Sequence, residues 1–289
     1  MQKFQGIFIR SGIFYKILLL VAISMFFTLA ILPLVGLLQF SKLDENVFLK
    51  LSQLLMSVGM FVIPPFVFAY LCSENNRSYL HINLKINWQA IFLVFVFMIL
   101  IIPFINLLSD LNQRVVLPSA LSGIENQLKI FEEKASKLTE NLLNVHSFGG
   151  LFINIVVIAI IPALGEELFF RGALQSILKD WKGLVVGIWL TAFIFSAIHL
   201  QFYGFVPRML MGAFFGYLLM WSENLWLPIA AHFTNNVIAV IFYYVQFNGV
   251  QTFNIDTIGT GNTLWIGILS GIVGVFGVLF IKKYFRKRE

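Results

Sequence analysis

The chain has 289 residues, 59% of them hydrophobic and only 12% charged, which excludes an ordinary soluble globular domain. Its formal charge of +6 sits mostly at helix ends and the C-terminus, where it orients a membrane protein and meets anionic headgroups, so nucleic acid is not an expected partner. The single Cys72 excludes an intrachain disulfide and any multi-cysteine metal centre.

In chain order, eight apolar runs read as membrane-spanning helices: roughly 17–40, 50–71, 88–108, 149–178, 184–201, 206–222, 226–247 and 264–281. The first is too long for a signal peptide, and no small-residue cleavage site follows it. The expected fold class is therefore all-α, a polytopic membrane protein of about eight transmembrane helices forming one membrane domain over 1–289. Pro64-Pro65 should kink the second span. With an even number of spans both termini share a side. Lys3, Arg10 and Lys16 lie at one end, and Lys282, Lys283, Arg286, Lys287 and Arg288 at the other. Arg77, Lys85, Arg171, Lys179 and Lys182 fall on that same side, while the Asp256 loop opposite has no Lys or Arg. The positive-inside rule then makes both termini cytoplasmic.

Between the third and fourth spans lies the one soluble-looking stretch, a connecting helix predicted over 119–145. Leu121, Ile124, Leu128, Phe131, Ala135, Leu138 and Leu142 form one apolar stripe, with Lys129, Glu132, Glu133, Lys134, Lys137 and Glu140 opposite. Ser122 and Glu125 have the spacing of a capping box. The expected placement is on the bundle or at the membrane interface; the alternative is a lid or docking helix.

Three of the later spans carry polar residues four apart, where a lipid-facing helix should carry none. Glu167 and Arg171, with Glu166 beside them, lie in the fourth; Phe195 and His199 in the fifth; His232 and Asn236 in the seventh. Ionisable groups in hydrocarbon are expensive unless paired or watered, so the default reading is functional. If the fourth and fifth spans form a hairpin turning near Trp181–Gly183, Glu166 and His199 each lie roughly 25 Å from the turn, at one depth. Glu167 and Arg171 have the favourable order for a helical ion pair. Glu166 points about 100° away from Glu167, which leaves Glu166 for chemistry and the Glu167–Arg171 pair for positioning. Phe195, one turn before His199, would wall the site.

A carboxylate and an imidazole together hold and deprotonate water, while His232 and Asn236 offer hydrogen bonds to the oxyanion of a tetrahedral intermediate. The same atoms allow a second version, a zinc site of Glu166, His199 and His232 with an open position. The residues leave both open, although the helical HExxH pattern is absent. One depth does not fit. His232 falls only about 9 Å past the Glu223–Trp226 turn, which requires the 172–183 hairpin, with Gln175, Lys179, Asp180 and Lys182, to project into the cytoplasm.

The ordered set EExxxR, FxxxH and HxxxN resembles the CPBP family, the CAAX proteases and bacteriocin-processing enzymes also called the Abi family. Here it reads Glu166-Glu167-Leu168-Phe169-Phe170-Arg171, Phe195-Ser196-Ala197-Ile198-His199 and His232-Phe233-Thr234-Asn235-Asn236, with Leu227-Pro228 approaching the last motif as is usual in that family. The resemblance covers about 150–245 and implies an eight-helix intramembrane endopeptidase with a cavity open to the cytoplasm. By the same resemblance Glu166 and His199 activate water, and His232 and Asn236 stabilise the oxyanion. Members are described both as metalloproteases and as metal-free glutamate enzymes, so the resemblance leaves zinc undecided. The expected partner is a membrane-associated peptide or protein in the plasma membrane of a prokaryote. Competing readings are a non-catalytic immunity or scaffold protein, with Glu167–Arg171 as a structural clamp, and a transporter or proton relay. The transporter reading lacks an internal repeat.

Overall fold

A computed structural model describes residues 4–249 and 255–286; Lys3, Lys287 and Arg288 of the charge pattern lie outside them. Every regular element among the described residues is helical. Ten helices organise the chain: α1 (Ile13–Phe40), α2 (Glu45–Cys72), α3 (Trp88–Leu100), α4 (Ile102–Gln113), α5 (Ser122–Leu143), α6 (Phe148–Lys182), α7 (Leu184–Ala197), α8 (Phe205–Ser222), α9 (Trp226–Phe247) and α10 (Leu264–Arg286). Short polar side chains start several of them. Asp44, Asn87 and Ser147 each accept a backbone N–H of the first turn, at 2.9, 3.2 and 3.0 Å.

The molecule is an all-α polytopic membrane protein, but the count of eight spans is not reached. Six helices are long and apolar enough to cross a bilayer, and α3 with α4, bent by 45°, makes a seventh if taken as one broken span. The shortfall is α7. Its 14 residues extend only about 21 Å, short of a hydrocarbon core of about 30 Å. Apolar sequence continues to Leu200, but the helix stops at Ala197 and Leu200 takes a left-handed φ of 54°.

Prolines inside spans leave carbonyls without helical donors, and neighbouring helices supply them. Pro64 and Pro65 are preceded by a π turn over Val58–Val62, and neither has an N–H for Met60 O. Ser24 Oγ of α1 donates to that carbonyl at 2.8 Å. Pro162 has no N–H for Ile158 O, and Asn236 Nδ2 of α9 donates to it at 3.3 Å. Within α6 the residues Ile155–Ile160 and Leu168–Leu174 are also π-helical, so Ile161–Glu167, with both glutamates, is a short α turn between two loosened ones.

Small residues bring the backbones of the site together. A Cβ on Gly165 would lie 2.9 Å from Val62 Cγ2 of α2. On α8, Gly212 and Gly216 give their carbonyls to Arg171 and Gln175 of α6, at 2.9 and 3.3 Å, two rungs four residues apart on each helix. Arg171 is completely buried and therefore marks no membrane face, which removes it from the basic residues of the charge pattern. Gln175, expected in water, is buried as well. Only residues 179–183 of the 172–183 segment are exposed, while Ala173, Leu174, Ile177 and Leu178 pack with Leu20, Phe68 and Phe195.

Helix α5 begins without the expected capping box: Ser122 is its first helical residue and no side chain caps it. Glu125 instead pairs with Lys129 at 2.7 Å, one turn along. The apolar stripe stays largely uncovered, with Ile124, Phe131 and Leu138 exposed, while Leu142 and Leu143 tuck into the bundle. Such a stripe suits a helix lying in the interface.

Candidate active site

Glu166 and Glu167 leave α6 in different directions, as the 100° step between helical neighbours requires. Glu167 has no exposed surface; its Oε1 accepts Nη1–H of Arg171 at 2.8 Å and Nδ1–H of His232 at 2.9 Å. Arg171 sends Nη2 to Gly212 O and lies over the rings of Phe195 and Phe215, 4.6 and 5.4 Å from their centroids. These aromatic faces hold a desolvated cation without asking it for a second carboxylate.

His232 stacks on Phe215 at 5.4 Å and meets the edge of Phe195 at 6.0 Å. Because Glu167 is paired with an arginine it acts as acceptor, so Nδ1 of His232 carries the hydrogen. Nε2 then faces Glu166 Oε2 at 3.9 Å, too far for a hydrogen bond. His199 is oriented in a similar way. Its Nδ1 donates to Phe195 O at 2.7 Å, one turn back, and the Phe195 ring stands edge-on at 5.1 Å. That leaves Nε2 of a neutral His199 with a free lone pair.

Two cavities meet at Glu166. One, of about 400 Å³, is enclosed by α2, α5, α6, α8, α9 and the end of α7, and presents His232, Asn235, Asn236 and Arg208. The other, of about 760 Å³, is almost wholly apolar and lies between α1, α2, α6 and α7. Gln53, Glu166 and His199 border both and form the wall between them. Oε2 of Glu166 has no hydrogen-bond partner among the described residues.

Residues 148–238 match the family described as type II CAAX prenyl endopeptidase Rce1-like, a segment that contains all three motifs. That segment is similar to the CAAX proteases. Its spanning helices make the chain an integral membrane protein. Among curated proteins, the uncharacterized protein YpbD of Bacillus subtilis (strain 168) is 28% identical over 102 residues. That alignment covers 34% of this chain and 49% of the relative, so the chain spans about half the length of the protein it matches. No solved structure matches.

In the matched segment every residue singled out from sequence comes to one place: Glu166, His199, His232 and Asn236 line the polar cavity with Phe195, while Glu167 and Arg171 stand behind His232. The depth conflict of His232 is resolved by helix packing, with α9 set against the short α turn of α6. Zinc fits less well. Among the described residues no three of His, Cys, Asp and Glu converge as a cation site. Within the proposed set, His232 gives Nδ1 to Glu167, and only its Nε2 approaches Glu166, at 3.9 Å. Glu166, His199 and His232 are therefore not arranged as a ligand triad. Gln53, Asn235 and Arg208 are among the lining residues that escaped the sequence reading. Arg208 had a signal, being an arginine inside the apolar run FVPRMLMG. The two amides had none, because nothing in their own spans shows which face meets the cavity.

Proposed function

We propose that this chain is an intramembrane endopeptidase that hydrolyses a peptide bond of a membrane-associated peptide or protein. The observation that carries the reading is the shared wall: Glu166 and His199 stand between an apolar cavity and a polar one. A chain passing from one to the other would bring its backbone against the Glu166 carboxylate and the His199 ring. Water held between the cavity-facing side of the Glu166 carboxylate and His199 Nε2 loses a proton to that carboxylate and attacks the carbonyl carbon. The resulting oxyanion is met by the Asn236 amide, whose other N–H is anchored on Ile158 O; His232, expected beside it, gives its one N–H to Glu167 and is left to move a proton. Glu166 then passes the proton toward His232 Nε2, which gives it to the departing amine as the C–N bond breaks. Glu167 and Arg171 orient the His232 ring for that transfer and touch no substrate.

The cell context belongs to the same proposal: the plasma membrane of a prokaryote, with both termini cytoplasmic. The test is turnover of a panel of quenched membrane-associated peptides by protein purified in detergent. Glu166→Ala and His199→Ala should abolish turnover while melting like the parent, and a chelator should leave the parent unchanged. Loss of folding in both variants would instead favour a scaffold held together by its polar cluster.

A further inference from the structure

We infer that Arg208 is a substrate-binding residue that receives a carboxylate on the peptide, and so decides which peptides the site accepts. The inference rests on the proteolytic reading above and adds a specificity determinant to it. Arg208 sits in the first turn of α8 and lines the same polar cavity as Glu166, His199, His232 and Asn236. Arg171, the other arginine of the site, is consumed by Glu167, a carbonyl and aromatic faces. Arg208 is not. Its Nη2 donates to Gln201 Oε1 at 2.6 Å, a neutral partner, and its Nη1 is buried with no partner among the described residues. Glu132 and Glu166 act on it electrostatically, but neither forms an ion pair with it. Gly204, one turn earlier, makes room for the guanidinium, since a Cβ there would lie 3.0 Å from Nη2.

A guanidinium is always charged, and holding one in a membrane-embedded cavity without a carboxylate is costly unless something else supplies the anion. Its planar fork matches a carboxylate better than any other peptide group. Two peptide groups carry that chemistry: the C-terminal carboxylate and the side chain of an Asp or Glu. The apolar cavity on the far side of Glu166 offers no charged group besides Glu166 and His199. Charge therefore directs the carboxylate to the Arg208 side of the scissile bond and the apolar part of the substrate to the other.

The experiment compares one peptide in three forms: free C-terminal acid, C-terminal amide, and the amide with a single Glu scanned through the residues after the cleaved bond. Each is assayed for kcat and KM with the parent, Arg208→Gln and Arg208→Lys, and for equilibrium binding to the non-cleaving Glu166→Gln variant with and without Arg208→Gln. We expect the acid to be preferred over the amide by about 10- to 100-fold, mostly in KM, with the preference lost in Arg208→Gln and partly kept in Arg208→Lys. If the scanned Glu restores the amide at one position, the side-chain source is served as well; if at none, the terminal carboxylate is the ligand. Equal use of acid and amide by the parent overturns the inference, as does a preference that survives Arg208→Gln. Should no peptide be cut, the binding arm still decides: discrimination that depends on Arg208 supports the carboxylate site while the proteolytic reading fails, and equal binding sinks the site. Should Arg208→Gln fail to fold, an undiminished preference in Arg208→Lys and unequal parent kinetics decide between a held charge and a bidentate fork, and absence of any preference in the parent again overturns it.

Discussion

Glu166 and Glu167 are adjacent and chemically identical, and one turn of one helix carries both, yet their surroundings are opposite. Glu167 is sealed, with an arginine and a histidine on one oxygen. Glu166 keeps 15% of its side chain exposed and borders two cavities, with Oε2 unpartnered. Glu167 Oε2 is buried without a partner as well, so the two charges on its other oxygen fasten it: removing either leaves a charge stranded. An unpartnered carboxylate facing a cavity contributes little to folding and is free to handle a proton. The pair separates the two tasks within one motif.

That contrast breaks first on Glu166→Gln. Turnover should fall by about 10²–10⁴-fold while the melting temperature stays near that of the parent. A collapse of folding in this isosteric change would falsify the division of labour. Next comes Glu167→Ala, which strands Arg171 and should cost about 3–5 kcal/mol in a reversible unfolding measurement. Adding Arg171→Met should return much of that stability without returning activity, and a double variant no more stable than the single would show that the pair is not the fastener.

Asn236→Ala sharpens the comparison, because Asn236 touches both tasks: it lines the cavity and also satisfies the carbonyl that Pro162 leaves free. As an oxyanion donor its loss should lower kcat by about 10²–10³-fold. As a carbonyl partner alone it should cost about 1–3 kcal/mol of stability and leave kcat in place. Measuring both in one variant apportions the residue. The smallest effect is expected from Ser24→Ala, which orphans Met60 O far from the chemistry: about 1–3 kcal/mol of stability and an unchanged kcat.

Much of the site was legible because helical period acts locally. Residues four apart share a face, so Glu167 with Arg171, and Phe195 with His199, were paired from spacing alone, and the structure has both contacts. The hairpin register that set Glu166 level with His199 is consistent with both bordering the same two cavities. Reading the helix end from apolarity overshot at α7, which stops at Ala197, since hydropathy measures transfer into lipid and says nothing about where a helix ends. Gln175 was set in water for a related reason: it is polar, but a carbonyl of α8 satisfies it inside the protein. Arg208 was passed over although the rule that flagged the other intramembrane charges applies to it equally.

The sequence by itself determined that this is a helical membrane protein with three polar motifs on three of its spans, because both signals, apolar length and four-residue spacing, are written in consecutive residues. Only the tertiary structure decided which glutamate meets the cavity, that Glu167 holds His232, that no three ligands converge among the described residues, and that Arg208 lines the same cavity as Glu166. Those outcomes depend on how α6, α8 and α9 rotate against each other. That rotation is set by Gly212, Gly216 and the proline-freed carbonyl of Ile158, contacts between residues far apart along the chain.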